Sequence, residues 1–169
     1  MNLMITGACG HIGSFIAYHF AKIKKIKKIY LIDNFTSSKI NSLFNLKNKK
    51  FIFKRVDVSK NNSLNSIKNI YTVIHCASLT NAADSFKIKN LMYKNNLNCM
   101  KNIINYCKKK KVNLIHLSST SVYGSLDSLV HEDDDKFINP QSPYAKIKII
   151  EEKMLKRNNK KLKFITLRL

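Results

Sequence analysis

Nothing in this chain limits its fold as tightly as "TGACGHIGS", residues 6–14. Three of its four glycines, Gly7, Gly10 and Gly13, fall here, between a short apolar run and a segment with helical spacing. A strand that turns directly into a helix has a use for each. The first permits the tight turn, the second lets a pyrophosphate approach the backbone, and the third lets the helix pack closely on the strand. The helix N-terminus adds partial positive charge that attracts phosphate. The plainer alternative is a tight strand–helix turn without a ligand.

Apolar runs recur along the chain at Leu3 to Thr6, Ile29 to Ile32, Phe51 to Val56, Thr72 to His75, Leu114 to Ser118 and Phe164 to Leu169. Helical spacing follows the first run (Ile12, Phe15, Ile16, His19, Phe20), spans Leu91 to Tyr106, and returns from Pro143 to Arg157. Strands apolar throughout, alternating with helices, predict an α/β fold: a doubly wound parallel sheet of about six strands with helices on both faces. At 169 residues the chain is one domain's worth.

The net charge of +21 raises the question of nucleic acid. Only Arg55, Arg157 and Arg168 are arginines, however, and the lysines are scattered among Asn and Ile rather than gathered on one face with aromatics. Compositional drift is the better account, and no nucleic-acid partner is expected. The densest run, Lys108 to Lys111, follows a helical stretch, where cations suit the negative end of the dipole. Cys9, Cys76, Cys99 and Cys107 lack metal-ligand spacing and read as reduced, buried residues, so no metal is expected. No apolar stretch approaches a membrane span and the N-terminus lacks a signal-like pattern, which predicts a cytoplasmic protein.

Other positions carry chemistry. Asp33 ends the second run in "YLIDNFTSS", twenty residues past Gly13, where an acidic residue would take ribose hydroxyls; capping a loop is the alternative. Asp57, in "RVDVSK", lies on the same carboxyl edge and suits either an adenine amino group or the cap of a following helix. In "PQSPYAKIK", Tyr144 and Lys148 stand four apart on one helical face. By itself that pair is as compatible with a solvated helix surface as with catalysis.

Taken together, "TGACGHIGS", "LIDNFTSS", "VDVS", "VIHCAS", "NNLNCMKNII", "HLSSTSVYG" and "PQSPYAKIK" resemble the extended short-chain dehydrogenase/reductases. The likeness runs through the whole chain in family order and is nearest to the NAD-dependent nucleotide-sugar epimerases and dehydratases, the UDP-hexose 4-epimerases above all. It implies a Rossmann domain holding NAD. Gly7, Gly10, His11, Ile12 and Gly13 would hold the pyrophosphate, Asp33 and Asn34 the ribose, and Asp57 and Val58 would flank the adenine. Cys76, Ala77, Ser78 and Asn95 would line the cofactor. Ser119 matches the catalytic Ser/Thr, ahead of its neighbour Thr120. Tyr144 would be the base, helped by Lys148, which favours the phenolate and also holds the nicotinamide ribose. The departures are Ser78 and Cys99 where glycine is usual, and Thr80 in place of a lysine that contacts the cofactor.

The implied activity is epimerisation of a UDP-hexose or similar nucleotide sugar through a transient keto-sugar and reversible hydride transfer. Dehydratases of the family carry acid immediately after the catalytic Thr, whereas this chain has Thr120 and Ser121. A dehydratase or reductase, and a non-catalytic NAD-binding protein, remain the alternatives. The family adds a smaller substrate domain after the sixth strand, so residues 1–169 are expected to be the cofactor half alone. A homodimer is compatible with this reading, and a membrane partner is not expected.

Overall fold

The computed structural model describes residues 1–36, 43, 48–80, 85–125, 130–132 and 135–169. Ser37 and Ser38 of the "LIDNFTSS" motif lie outside them.

Six strands are present among the described residues: β1 (Asn2–Thr6), β2 (Lys28–Asp33), β3 (Phe51–Arg55), β4 (Thr72–His75), β5 (Asn113–Ser118) and β6 (Phe164–Arg168). They form one sheet in the order β3-β2-β1-β4-β5-β6, and every pairing is parallel. Among the described residues, three α-helices lie between strands: α1 (His11–Ala21), α2 (Lys89–Lys110) and α3 (Pro143–Lys156). The order reverses between β1 and β4, and a sheet of this kind opens a crevice beyond the carboxyl ends of the strands at that point.

Side chains alternate across the sheet, as strand geometry requires. Leu3, Ile5, Ile29, Leu31 and Ile74 face Ala17 and Ala21 of α1. Met4, Ile32, Val73 and Leu114 face Met100, Ile103 and Ile104 of α2 and Leu155 of α3. Burial of these chains, at roughly 1.5–3 kcal/mol each, is the main force holding the layers together. The α1 side is open at β6, where Ile165 and Leu167 are exposed. The chain between β3 and β4 forms consecutive turns rather than a helix, yet it buries Leu64 and Ile67 against α2.

Local sequence accounts for the helix ends. Ser142 caps α3 by accepting a hydrogen bond from the Ala145 amide at 3.1 Å, and Pro143 occupies the first turn, where its missing N–H does no harm. Helix α2 is longer than its apolar spacing suggests. Lys108, Lys109 and Lys110 form its last turn instead of following it, and Lys111 ends it in a left-handed conformation (φ 54°). The β5–β6 ladder opens with the Leu114 amide donating to the Lys163 carbonyl at 3.0 Å, and the Thr120 amide donates to the Leu169 carbonyl at 2.8 Å in the same register.

The glycine turn is packed without spare room. A Cβ on Gly13 would lie 2.3 Å from the Gly7 carbonyl oxygen. Gly13→Ala must therefore displace backbone, and overpacking of this kind is worth about 1–3 kcal/mol. Thermal unfolding should show a Tm lower by several degrees, at about 2–4 °C per kcal/mol for a chain of this size. An unchanged Tm would mean that the turn is looser than this contact indicates.

Candidate functional site

Where β1 and β4 part, a cavity of about 550 Å³ opens at the carboxyl edge of the sheet. It is lined by Gly7, Gly10, His11, Ile12 and Gly13 at the turn, Asp33 and Asn34, Asp57 and Val58, Cys76 to Ser78, Asn95, and then Ser119, Tyr144 and Lys148, all of them expected from the sequence. Following the strand order, it passes from Asp57 and Val58 beyond β3, by Asp33 and the glycine turn, to the hydroxyl and ammonium groups of Ser119, Tyr144 and Lys148.

Gly7 has φ +66°, and a Cβ there would lie 2.7 Å from the Ala77 amide nitrogen. Only glycine permits this approach of the first turn to the end of β4. Asp33 has a double attachment. Its Oδ2 accepts from the Cys9 amide at 2.9 Å, inside the glycine turn, and its Oδ1 accepts from the Phe35 amide at 3.0 Å. The carboxylate thus caps its own loop while lining the cavity. Asp57 Oδ1 accepts from the Ser59 amide at 2.9 Å and from the Ser59 hydroxyl at 2.6 Å. The chain makes a turn directly after Asp57, so the expected helix cap is corrected to a turn cap.

Buried Asn96, unremarked in the sequence, holds the next wall. Its Oδ1 accepts from the Leu79 amide at 2.9 Å, its Nδ2 donates to the Leu79 carbonyl at 3.1 Å, and the Asn95 amide group donates to the same Oδ1 at 2.9 Å. Cys76 is half-buried and lines the cavity, as does the buried Cys99; Cys9 and Cys107 are also buried. Burial pushes the Cys76 thiol up to about 12, against the opposing influence of Lys148. Burial, with Asp33 alongside, does the same to Cys9. Thiols held in this way are not nucleophiles at neutral pH.

At the far end Ser119 caps a short 3₁₀ helix, Thr120–Tyr123. Its Oγ accepts from the Ser121 amide at 3.2 Å and from the Ser121 hydroxyl at 2.9 Å. Thr120 points elsewhere, donating to the Leu169 carbonyl at 3.0 Å. On α3, Lys148 Nζ lies 5.6 Å from the centre of the Tyr144 ring, so helical spacing does bring the pair together. Lys148 is only 4% exposed, not a residue on a solvated face.

Beneath this corner are two ionic groupings that the sequence did not disclose. Lys148 Nζ donates to the Leu117 carbonyl at 3.1 Å and to Glu151 Oε2 at 2.9 Å. The same oxygen accepts from His116 Nε2 at 3.0 Å. Burial would push the Glu151 carboxyl up, but Lys148 and His116 outweigh it and hold it below the usual range. The adjacent Glu152 accepts from the Ser118 hydroxyl at 2.6 Å and from Arg168 at 3.0 and 2.7 Å. Burial again opposes ionisation, and Arg168 and Ser118 prevail. Arg168 also donates to the Tyr123 hydroxyl at 2.6 Å, tying the 3₁₀ turn to β6. The i, i+3 spacing of Lys148 and Glu151 was a visible signal, but nothing local marked it as buried.

A model of the NAD dependent epimerase/dehydratase family matches residues 3–169. The dTDP-D-glucose 4,6-dehydratase of Dictyostelium discoideum is 30% identical over 180 residues, covering 96% of this chain and 41% of the relative. A UDP-glucose 4-epimerase of Schizosaccharomyces pombe is 30% identical over 130 residues, covering 73% of this chain and 36% of the relative. Among solved structures, UDP-glucuronic acid 4-epimerase from Bacillus cereus, in complex with UDP-glucuronic acid and NAD, superposes with a TM-score of 0.90 at 28% identity. The match covers 99% of this chain and 56% of that one. UDP-N-acetylglucosamine 4-epimerase from Methanobrevibacter ruminantium gives 0.88 at 27% identity, covering 99% and 54%. The chain thus spans less than half the length of these curated relatives and just over half that of these structures. No helix among the described residues is long and apolar enough to cross a membrane.

His75 also lines the cavity, with its Nδ1 2.7 Å from the Thr6 hydroxyl. Burial above all lowers its pKa from 6.5 to about 3. Between these values the unfolded chain binds a proton that the folded one refuses. The stability this gives is complete above pH 6.5 and is lost on acidification toward pH 3. From pH 6.5 to 5 the loss should be about 2 kcal/mol, and His75→Gln should remove it. Thermal unfolding of both proteins across that window tests this; parallel pH curves would refute it.

Proposed function

The chain belongs to the NAD-dependent epimerase/dehydratase family, and from that premise we propose that it is the NAD-binding part of a nucleotide-sugar 4-epimerase acting on a UDP-hexose. One observation carries the reading. A glycine turn with an adjacent carboxylate, and a serine, tyrosine and lysine, line one and the same cavity. The fit to NAD is supported by the close backbone approach at Gly7 and by the α1 N-terminus behind it.

In this reading Gly7, Gly10, His11, Ile12 and Gly13 bind the pyrophosphate. Asp33 and Asn34 take the adenosine ribose, while Asp57 and Val58 flank the adenine. Cys76, Ala77, Ser78 and Asn95 line the remaining length. NAD, when bound, supplies a reversible hydride acceptor, so that a sugar carbon can be oxidised and then reduced on its other face. Tyr144 takes the proton from the sugar hydroxyl and later returns it. Ser119 hydrogen-bonds the reacting oxygen and holds it toward Tyr144. Lys148 stabilises the phenolate by its charge and donates to the nicotinamide ribose.

The 30%-identical dehydratase keeps a second reading in view: elimination of water by a 4,6-dehydratase. That reaction wants an acid beside Ser119, and the 3₁₀ turn offers Thr120 and Ser121 instead. Epimerisation is therefore preferred. Incubation with UDP-glucose and dTDP-glucose distinguishes them, because epimerisation returns an isomer and dehydration a 4-keto-6-deoxy sugar. Residues 1–169 form one cofactor domain in this account, cytoplasmic and compatible with a homodimer. Sugar selection draws on sequence that the relatives have in addition.

Asp33 should make NAD bind at least tenfold more tightly than NADP, because its carboxylate would meet the extra phosphate and such like-charge contacts are worth several kcal/mol. Isothermal titration with both cofactors measures this, and Asp33→Asn should narrow the gap; equal affinities in the parent protein would reject the assignment. Tyr144→Phe, assayed in protein carrying the full length of its relatives, should lower kcat by about 10²- to 10⁴-fold, as for loss of a general base. NAD affinity should remain near the parent value. Turnover within about threefold of the parent would remove Tyr144 as the base.

A further inference from the structure

Lys148 is placed by a carboxylate that does not itself line the cavity. An ammonium has three N–H donors. Those of Lys148 reach the Leu117 carbonyl at 3.1 Å and Glu151 Oε2 at 2.9 Å, leaving one for the cavity that Lys148 lines. Glu151 is 1% exposed and sits one helical turn further along α3. Its Oε2 is shared with His116 Nε2, 3.0 Å away on β5.

His116 Nδ1 has no hydrogen-bond partner among the described residues. The hydrogen bond from Nε2 to Glu151 is therefore the one that fixes the ring. Across the β4–β5 register, His116 is paired with His75, which burial keeps neutral. Beneath Tyr144, then, the Lys148 ammonium faces the Glu151 carboxylate, with the His116 and His75 rings on the strand side. Glu152, the other nearby carboxylate, is engaged by Arg168 and Ser118.

A buried ion pair is a poor source of stability, because desolvation offsets most of its attraction. What it does give is a fixed position. We propose that Glu151, supported by His116, is a positioning residue for the cofactor: it holds Lys148 Nζ so that the remaining donor faces the nicotinamide ribose. This rests on the NAD reading of the same cavity.

Isothermal titration of the intact chain with NAD and with ADP separates the two halves of the site, since ADP lacks the nicotinamide ribose. Glu151→Ala should weaken NAD about tenfold, as for a lost charge-assisted hydrogen bond, and leave ADP within about twofold. Glu151→Gln, which keeps an acceptor oxygen, should recover most of the NAD affinity. Lys148→Met should weaken NAD at least as much, and adding Glu151→Ala to it should cause no further loss, because Glu151 acts through Lys148. Should Glu151→Ala prove unfolded, His116→Leu, which removes one of the donors to Glu151, should still weaken NAD by about threefold and spare ADP.

Equal losses for NAD and ADP would assign Glu151 a structural role alone and overturn the proposal. So would unchanged NAD affinity in Glu151→Ala, or multiplied losses in the double variant. A parent protein that binds neither ligand would instead reject the cofactor reading, and this inference with it.

Discussion

The structure depends on the contact between Gly7 and the end of β4. The last parallel ladder bond there runs from the Cys76 amide to the Thr6 carbonyl at 3.1 Å, and beyond it β1 turns away into α1. Any Cβ on Gly7 would strike Cys76 and Ala77, so two strands can separate at this point without spreading apart. The cavity occupies the resulting crevice. Asp33 closes the arrangement from the other side by accepting from Cys9, which secures β2 to the same turn. Three strand ends are thereby fixed relative to one another at the place where a ligand would lie.

Charged and polar groups around the cavity serve the backbone as well as the site. Asp33 and Asp57 satisfy amides of their own loops, and Asn96 binds both polar groups of Leu79. Such bonds limit the positions available to each wall before any ligand arrives, and a preorganised wall need not be ordered on binding. Neighbouring Glu151 and Glu152 divide the far end between them. One reaches Lys148 and His116, the other Arg168 and Ser118. Apolar residues could have bonded α3 to the sheet at lower desolvation cost, but without directional contacts.

Much of the candidate site was legible because its signals are local. The glycine spacing, Asp33 at a strand end and Tyr144 with Lys148 four residues on all depend on a single turn, strand or helix. Asp57 was legible only in part: its position on the carboxyl edge was clear, but its bonds to Ser59 depend on the path the chain takes beyond it. The length of α2 was underestimated because its last turn is lysine, which the dipole favours but an apolar pattern cannot register.

The sequence by itself determined which segments become strands and helices, where the glycine turn must lie, and that Tyr144 and Lys148 share a helical face. These result from backbone sterics and short-range periodicity. The strand order, the opening between β1 and β4 and the company Lys148 keeps were decided only by tertiary structure. His116 and Glu151 stand 35 residues apart and Thr6 and His75 stand 69 apart, so no local pattern links them. Only when the parallel sheet aligns its strands and α3 packs across β5 does Glu151 become the buried partner of Lys148.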